Sequence, residues 1–149
     1  MTDTTSSISD LIEISEDGTA FYEEAAQKVK DKKVSTLFAR LAKAKSELAA
    51  ELSGEVKPAP KAGAKKAVKK PASSLGELSK VYAGMRKQWP DSPVERFTRM
   101  AEIEGQLQTT FQKVVLDRDH SFVVRVLAKQ YVSKAEVLNK ELRACQRNA

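Results

Sequence analysis

Apolar and small residues return every three to four positions along most of the chain, the period of a helix with one buried face. From Ile8 to Val29 that face is Leu11, Ile14, Ser15, Gly18, Phe21, Tyr22, Ala25 and Val29, with Ser7 and Ser9 both placed to cap its start. After the short turn "KDKK", a second helix is predicted from about Lys33 to Ser53. It carries Val34, Leu37, Phe38, Leu41, Ala44, Leu48 and Leu52 on one side. "SSLGELSKVYAGMRKQWP" reads as a shorter helix with a serine cap and a stop at Pro90. Asp91, Ser92 and Pro93 start the next, which runs to about Asp117. Beyond the turn "DRDHS" the last helix runs from about His120 to Gln146.

The long helices are each roughly 30–40 Å at ~1.5 Å per residue. Short connections make the first two an antiparallel hairpin, and likewise the last two. Between the hairpins lies a long connection that carries the short helix. The predicted fold is therefore all-α: an antiparallel four-helix bundle of ferritin-like arrangement, a single domain over residues 1–149, with its long crossover between the second and third long helices.

Charge changes one part of this picture. "KPAPKAGAKKAVKKPASS", residues 57–74, holds Lys57, Lys61, Lys65, Lys66, Lys69 and Lys70 and no acid. The chain has 26 basic and 20 acidic residues; without those six lysines it has 20 of each, so the net +6 sits in one segment. A neutral body is not that of a general phosphate binder. Residues 54–74 are expected to be a flexible Lys/Ala/Pro-rich crossover that first of all spans the bundle. Contact with nucleic acid or another anionic surface is the functional alternative for the same lysines. The single cysteine, Cys145, excludes an intrachain disulfide and suits a reducing cytoplasm. No apolar run is long enough to cross a membrane, and "MTDTTSSISD" lacks a signal pattern, so no membrane insertion is expected.

"LIEISEDGTAFYEEAAQKVKD", "LFARLAKAKSELAAEL" and the "KQY" of the last helix, with Asp17-Gly18, Phe21-Tyr22 and Ala25-Ala26 as the most specific part, resemble an uncharacterised bacterial family of ferritin-like four-helix-bundle proteins. The resemblance covers most of the chain except the lysine-rich stretch. It implies a ferritin-like bundle and no settled activity. It also implies a histidine in some relatives where this chain has Leu48.

Ferritin-like di-metal centres use an inward Glu from each of two helices and Glu-x-x-His from each of the other two. One histidine, His120, cannot supply two such motifs. At ~100° per residue, Glu13, Glu16, Glu23 and Glu24 fall away from the apolar stripe, and Glu47 and Glu51 fall off-centre. Glu104 is the exception, in the middle of the face made by Phe97, Met100, Ala101, Leu107, Phe111 and Val115. Glu141 is placed inward towards the far end, so an iron or manganese site, as the alternative, would use Glu104 and Glu141. Lys134 lies in the stripe Val123, Leu127, Tyr131, Leu138 and Leu142, less than one turn from the level of Glu104; Lys45 lies near the inner edge of the second helix.

These placements predict a core Glu104–Lys134 ion pair where relatives would place metal. Lys45, Gln108, Gln130, Tyr22, Tyr131 and Ser15 would complete a polar layer, because a buried carboxylate needs a compensating charge. The bland reading has both long side chains snorkelling to water. His120 reads as a capping-region residue, Cys145 as a quiet core or interface thiol, and Trp89 as a cover over one end of the bundle. No phosphate loop and no nucleophilic triad is present. The function expected is non-catalytic: an interaction or stress-associated module without cofactor, the stress association by fold analogy alone, binding a protein partner or itself.

Overall fold

The computed structural model describes residues 8–55 and 74–148. Those residues form five helices and no strand: α1 (Ile8–Lys28), α2 (Lys32–Ser53), α3 (Ser74–Lys87), α4 (Pro93–Leu116) and α5 (Phe122–Asn148). The lysines at 57, 61, 65, 66, 69 and 70 lie outside the described residues.

Local chemistry explains the helix starts. The Asp31 carboxylate accepts from the Lys33 and Val34 amides and caps α2. At α4 the Ser92 hydroxyl accepts from the Glu95 amide, with Pro93 as the first helical residue, where a missing N–H costs nothing. The last helix begins at Phe122 rather than His120, because Ser121 caps it: its hydroxyl accepts from the Val124 amide. His120 belongs instead to the turn, where its side chain is buried.

The helices pack in a ring. α2 lies against α1 and α5, α5 against α4, and α3 between α1 and α4. The short connections make α1–α2 and α4–α5 antiparallel. Two polar contacts fix α3 as parallel to α1: Ser79 donates to Asp17, and Arg86 to Glu24, at one constant offset along the two helices. α3 fills its place with Leu75, Leu78, Tyr82 and Met85, all buried.

That placement sets which helix ends lie together. Gly18 of α1 lies opposite Lys45 of α2, and Tyr22 against Phe38, so the start of α1 and the end of α2 share one end of the molecule. Because α3 runs with α1, Ser74 lies at the same end of the molecule as the last residue of α2. α3 runs the length of the molecule between the two hairpins.

Candidate functional site: a buried lysine–glutamate–tyrosine cluster

Glu104, in the middle of α4, is buried to 1 % exposure. Its partner is Lys45 of α2, 2 % exposed, with Nζ 2.7 Å from Glu104 Oε1. The other carboxylate oxygen, Oε2, accepts from Tyr22 Oη of α1 at 2.7 Å and from Tyr82 Oη of α3 at 2.6 Å. Lys45 also donates to Tyr131 Oη of α5 at 2.8 Å. Its ammonium lies 5.4 Å from the centre of the Tyr131 ring and 5.9 Å from that of Tyr22. One polar cluster therefore joins all five helices, and it holds all three tyrosines of the chain.

Gly18 makes the geometry possible. A Cβ at that position would come within 2.5 Å of Lys45 Cδ and 3.0 Å of Tyr82 Oη. The lysine stem crosses the α1 backbone where a side chain is missing. Around the cluster, Phe21 packs edge-on against Tyr22 at 4.9 Å and tilted against Tyr82 at 5.1 Å, and Phe111 packs against Tyr131 at 4.9 Å.

The environment favours one protonation state throughout. Burial pulls the Lys45 pKa down, but the Glu104 charge and the contacts with Glu104 and Tyr131 outweigh it and hold the ammonium above its ordinary range. Burial, and then the nearby Glu104 charge, raise Tyr22 and Tyr82 well above the ordinary phenol range. Burial raises Tyr131 as well, against the opposing effect of Lys45. The tyrosines are thus neutral donors or acceptors, not latent phenolates.

The expected Glu104–Lys134 pair does not form. Lys134 is half exposed and donates to Glu47 at 3.2 Å on the surface between α5 and α2. Lys45 takes the inner place because the buried face of α5 runs through Val124, Ala128, Tyr131, Ala135, Leu138 and Leu142. Two alanines, not Lys134, sit on that face between the larger residues. Gln130 is exposed and stands outside the cluster. Ser15 is buried, but its hydroxyl donates to Leu11 O of its own helix. Gln108 accepts from Asn139 Nδ2 at 2.8 Å, and Asn139 also approaches Glu104 O at 3.4 Å. Gln108 thus reaches the layer through Asn139 only.

Sequence reasoning left out Tyr82 and Asn139. The spacing Leu75, Leu78, Tyr82, Met85 is an i, i+3, i+7, i+10 stripe, which signals a helix buried along one side and a tyrosine inside it.

Among the described residues, Glu104 and Glu141, the two carboxylates expected for a metal site, lie apart. Glu141 is half exposed and takes both of its contacts from Arg40, at 2.9 and 3.1 Å, so Glu104 and Glu141 are not brought together. Among the described residues no three His, Cys, Asp or Glu side chains converge. The imidazole Nε2 of His120 has no protein partner. Cys145 is half-buried, and burial pushes its thiol pKa up. Trp89 lies towards the end of the molecule opposite Ser53, tilted against Phe21 with ring centres 6.2 Å apart and with Lys28 and Arg96 over its ring.

A family model described as a domain of unknown function, DUF2383, matches residues 3–117. No curated protein and no solved structure matches the chain.

Proposed function

We take as premise that the chain belongs to the DUF2383 family, a domain of unknown function, and propose that it is a non-catalytic helical module. On this reading it works by associating with a protein partner or with itself, and its interior is closed by its own charges. Its layout on this reading is ferritin-like: α1–α2 and α4–α5 as the two hairpins, with α3 on the crossover between them.

The observation that carries the reading is the engagement of Glu104. It is the buried carboxylate of the described core, and both of its oxygens are taken, one by an ammonium and the other by two phenols. A di-iron or di-manganese centre needs several carboxylates converging from different helices. Here the cation facing Glu104 is part of the chain, and Glu24, Glu47 and Glu141 bond to basic side chains at the surface. The donor set around Glu104 does not fit a metal.

Four groups held in one protonation state, without an open path to solvent, make a poor acid–base or redox centre. They make a good device for fixing which faces of five helices meet, since any other register leaves a charge unpaired. A module of that kind offers partners a defined surface.

The test combines metal analysis with mass in solution, on protein purified from cells supplied with iron and manganese. The expected result is metal well below one ion per chain, with a mass that reports self-association or a co-purifying protein. One or more tightly held iron or manganese ions per chain would favour a carboxylate metal protein using Glu104 and Glu141, and would overturn the proposal.

A further inference from the structure

Charge is sorted between two helices that do not touch. α1 carries Asp10, Glu13, Glu16, Asp17, Glu23 and Glu24 against Lys28 alone. α5 carries Arg125, Lys129, Lys134, Lys140, Arg143 and Arg147 against Glu136 and Glu141. In the ring α1 packs on α2 and α3, and α5 packs on α2 and α4. Acid therefore gathers on one side of the bundle and base on another, an arrangement that draws copies of the chain together head to tail.

Three of the α1 acids are unengaged. Glu13, Glu16 and Glu23 are exposed, and among the described residues none has a basic partner. Glu24, by contrast, holds Arg86, and Asp17 accepts from Ser79. With Ala20 the three free acids form one outward stripe at i, i+3, i+7 and i+10. Ala20 has nothing beyond Cβ, so the middle of this stripe lets another surface come close.

The side of the bundle between α2 and α5 is built to complement it. Two ion pairs cross from one helix to the other, Arg40 to Glu141 and Lys134 to Glu47. Between them runs a groove with Ala44, Val137 and Leu138 as its floor and Lys43 on its rim. Val137 is 54 % exposed there, and Lys43 is exposed with no acidic partner among the described residues. The two ion pairs stand seven residues apart on each helix, from 40 to 47 and from 134 to 141, or ~10 Å at ~1.5 Å per residue. Glu16 and Glu23 are seven residues apart as well. A helix laid along the groove in either direction thus brings one of these acids to Arg40 and the other to Lys134, with Ala20 over Val137 between them.

We infer that the outer face of α1 in a second copy of the chain lies along the groove between α2 and α5. Glu16 and Glu23 of that face meet Arg40 and Lys134, Lys43 faces an acidic surface, and Val137 leaves water. The contact joins two different surfaces, so it repeats from copy to copy rather than closing one symmetric pair. It rests on the reading of the chain as an associating module and names the partner and the surfaces.

The experiment is analytical ultracentrifugation of the full chain over a concentration series. The mass is expected to exceed one chain and to rise with concentration at low salt. It is expected to fall back as salt rises, because exposed charges more than about 10 Å apart are screened at ~0.1 M. Glu16→Lys/Glu23→Lys on α1 and Lys43→Glu/Val137→Glu in the groove are each expected to weaken association by about tenfold or more, since like charges then face one another. All four positions are at the surface, and circular dichroism confirms that both variants remain helical. Mixed in equal amounts the two variants are expected to associate with each other, because the altered stripe of one now matches the altered groove of the other. Should either variant lose helix, Glu16→Gln/Glu23→Gln and Lys43→Gln replace them and must also weaken association. Association that neither variant weakens, or a mixture that stays monomeric, overturns the inference and leaves the associating-module reading in place; that reading falls with the metal analysis above. A chain that is monomeric at low salt also overturns it, and a co-purifying protein released by the groove variant would then assign the groove to a foreign acidic helix.

Discussion

Lys45 Nζ stands 2.7 Å from Glu104 Oε1, with both side chains almost fully withdrawn from water. Removing one member of such a pair strands the other in the interior. Lys45→Met is expected to lose about 3–5 kcal/mol of stability in urea unfolding, because the Glu104 carboxylate then keeps two phenols but no cation. The double variant Lys45→Met/Glu104→Gln keeps an acceptor for Tyr22 and Tyr82 without a buried charge. It is therefore expected to be more stable than Lys45→Met alone. Equal or lower stability of the double variant would mean that the pair is not the coupled unit described.

The surface pair gives the opposite expectation. Lys134 and Glu47 are each about half in water, at 3.2 Å. Lys134→Met is expected to change stability by no more than ~0.5 kcal/mol, measured by the same unfolding curves.

The contrast between the two lysines shows which parts of the site the sequence makes legible. Helix period and short turns place every helix of the structure to within two or three residues, because capping at Asp31 and Ser92 and the Pro93 start are local chemistry. Glu104 is legible for the same reason, as an acid alone among large apolar residues. The choice of its partner is not local. Counting only large residues, the α5 stripe drifts through Val123 and Leu127 to Lys134; Ala128 and Ala135 mark the true face, one position on. Alanine faces a neighbouring helix as readily as it faces water, so its side cannot be read before the neighbour is known. The part played by Tyr82 is hidden by its place on a helix that looks like a spacer until α1 and α4 are seen to need one between them.

Gly18 and Gly84 are both helical glycines with opposite expectations. Ala in place of Gly within a helix gains up to about 1 kcal/mol from backbone entropy. At Gly84 nothing lies within 4 Å of a new Cβ, so Gly84→Ala is expected to stabilise by ~0.5–1 kcal/mol. At Gly18 the new Cβ meets Lys45 Cδ at 2.5 Å, and the lysine cannot swing aside, because Glu104 and Tyr131 hold its far end. Overpacking of that kind costs about 1–3 kcal/mol, more than the entropy gained, so Gly18→Ala is expected to lower the melting temperature while Gly84→Ala raises it.

The cluster also fixes how stability depends on alkaline pH. Burial opposes the Lys45 charge, but Glu104 and Tyr131 overcome it, so the folded pKa lies above the unfolded one near ~10.4. A lysine raised in this way contributes its full stability below the unfolded value and loses that contribution as pH climbs towards the folded value. The tyrosines act with the same sign. Burial first, and then for Tyr22 and Tyr82 the Glu104 charge, raise their folded values above ~10, so deprotonation draws the chain towards the unfolded state. These four groups leave stability flat below about pH 9 and make it fall steeply above about pH 10. Since Tyr22, Tyr82 and Tyr131 are all the tyrosines present, tyrosinate absorbance reports on nothing else. It is expected to stay silent through the ordinary phenol range and to rise in one step together with the loss of helical circular dichroism. A tyrosinate signal near pH 10 in protein that is still fully helical would place at least one of the three hydroxyls in water, and the cluster would not be closed.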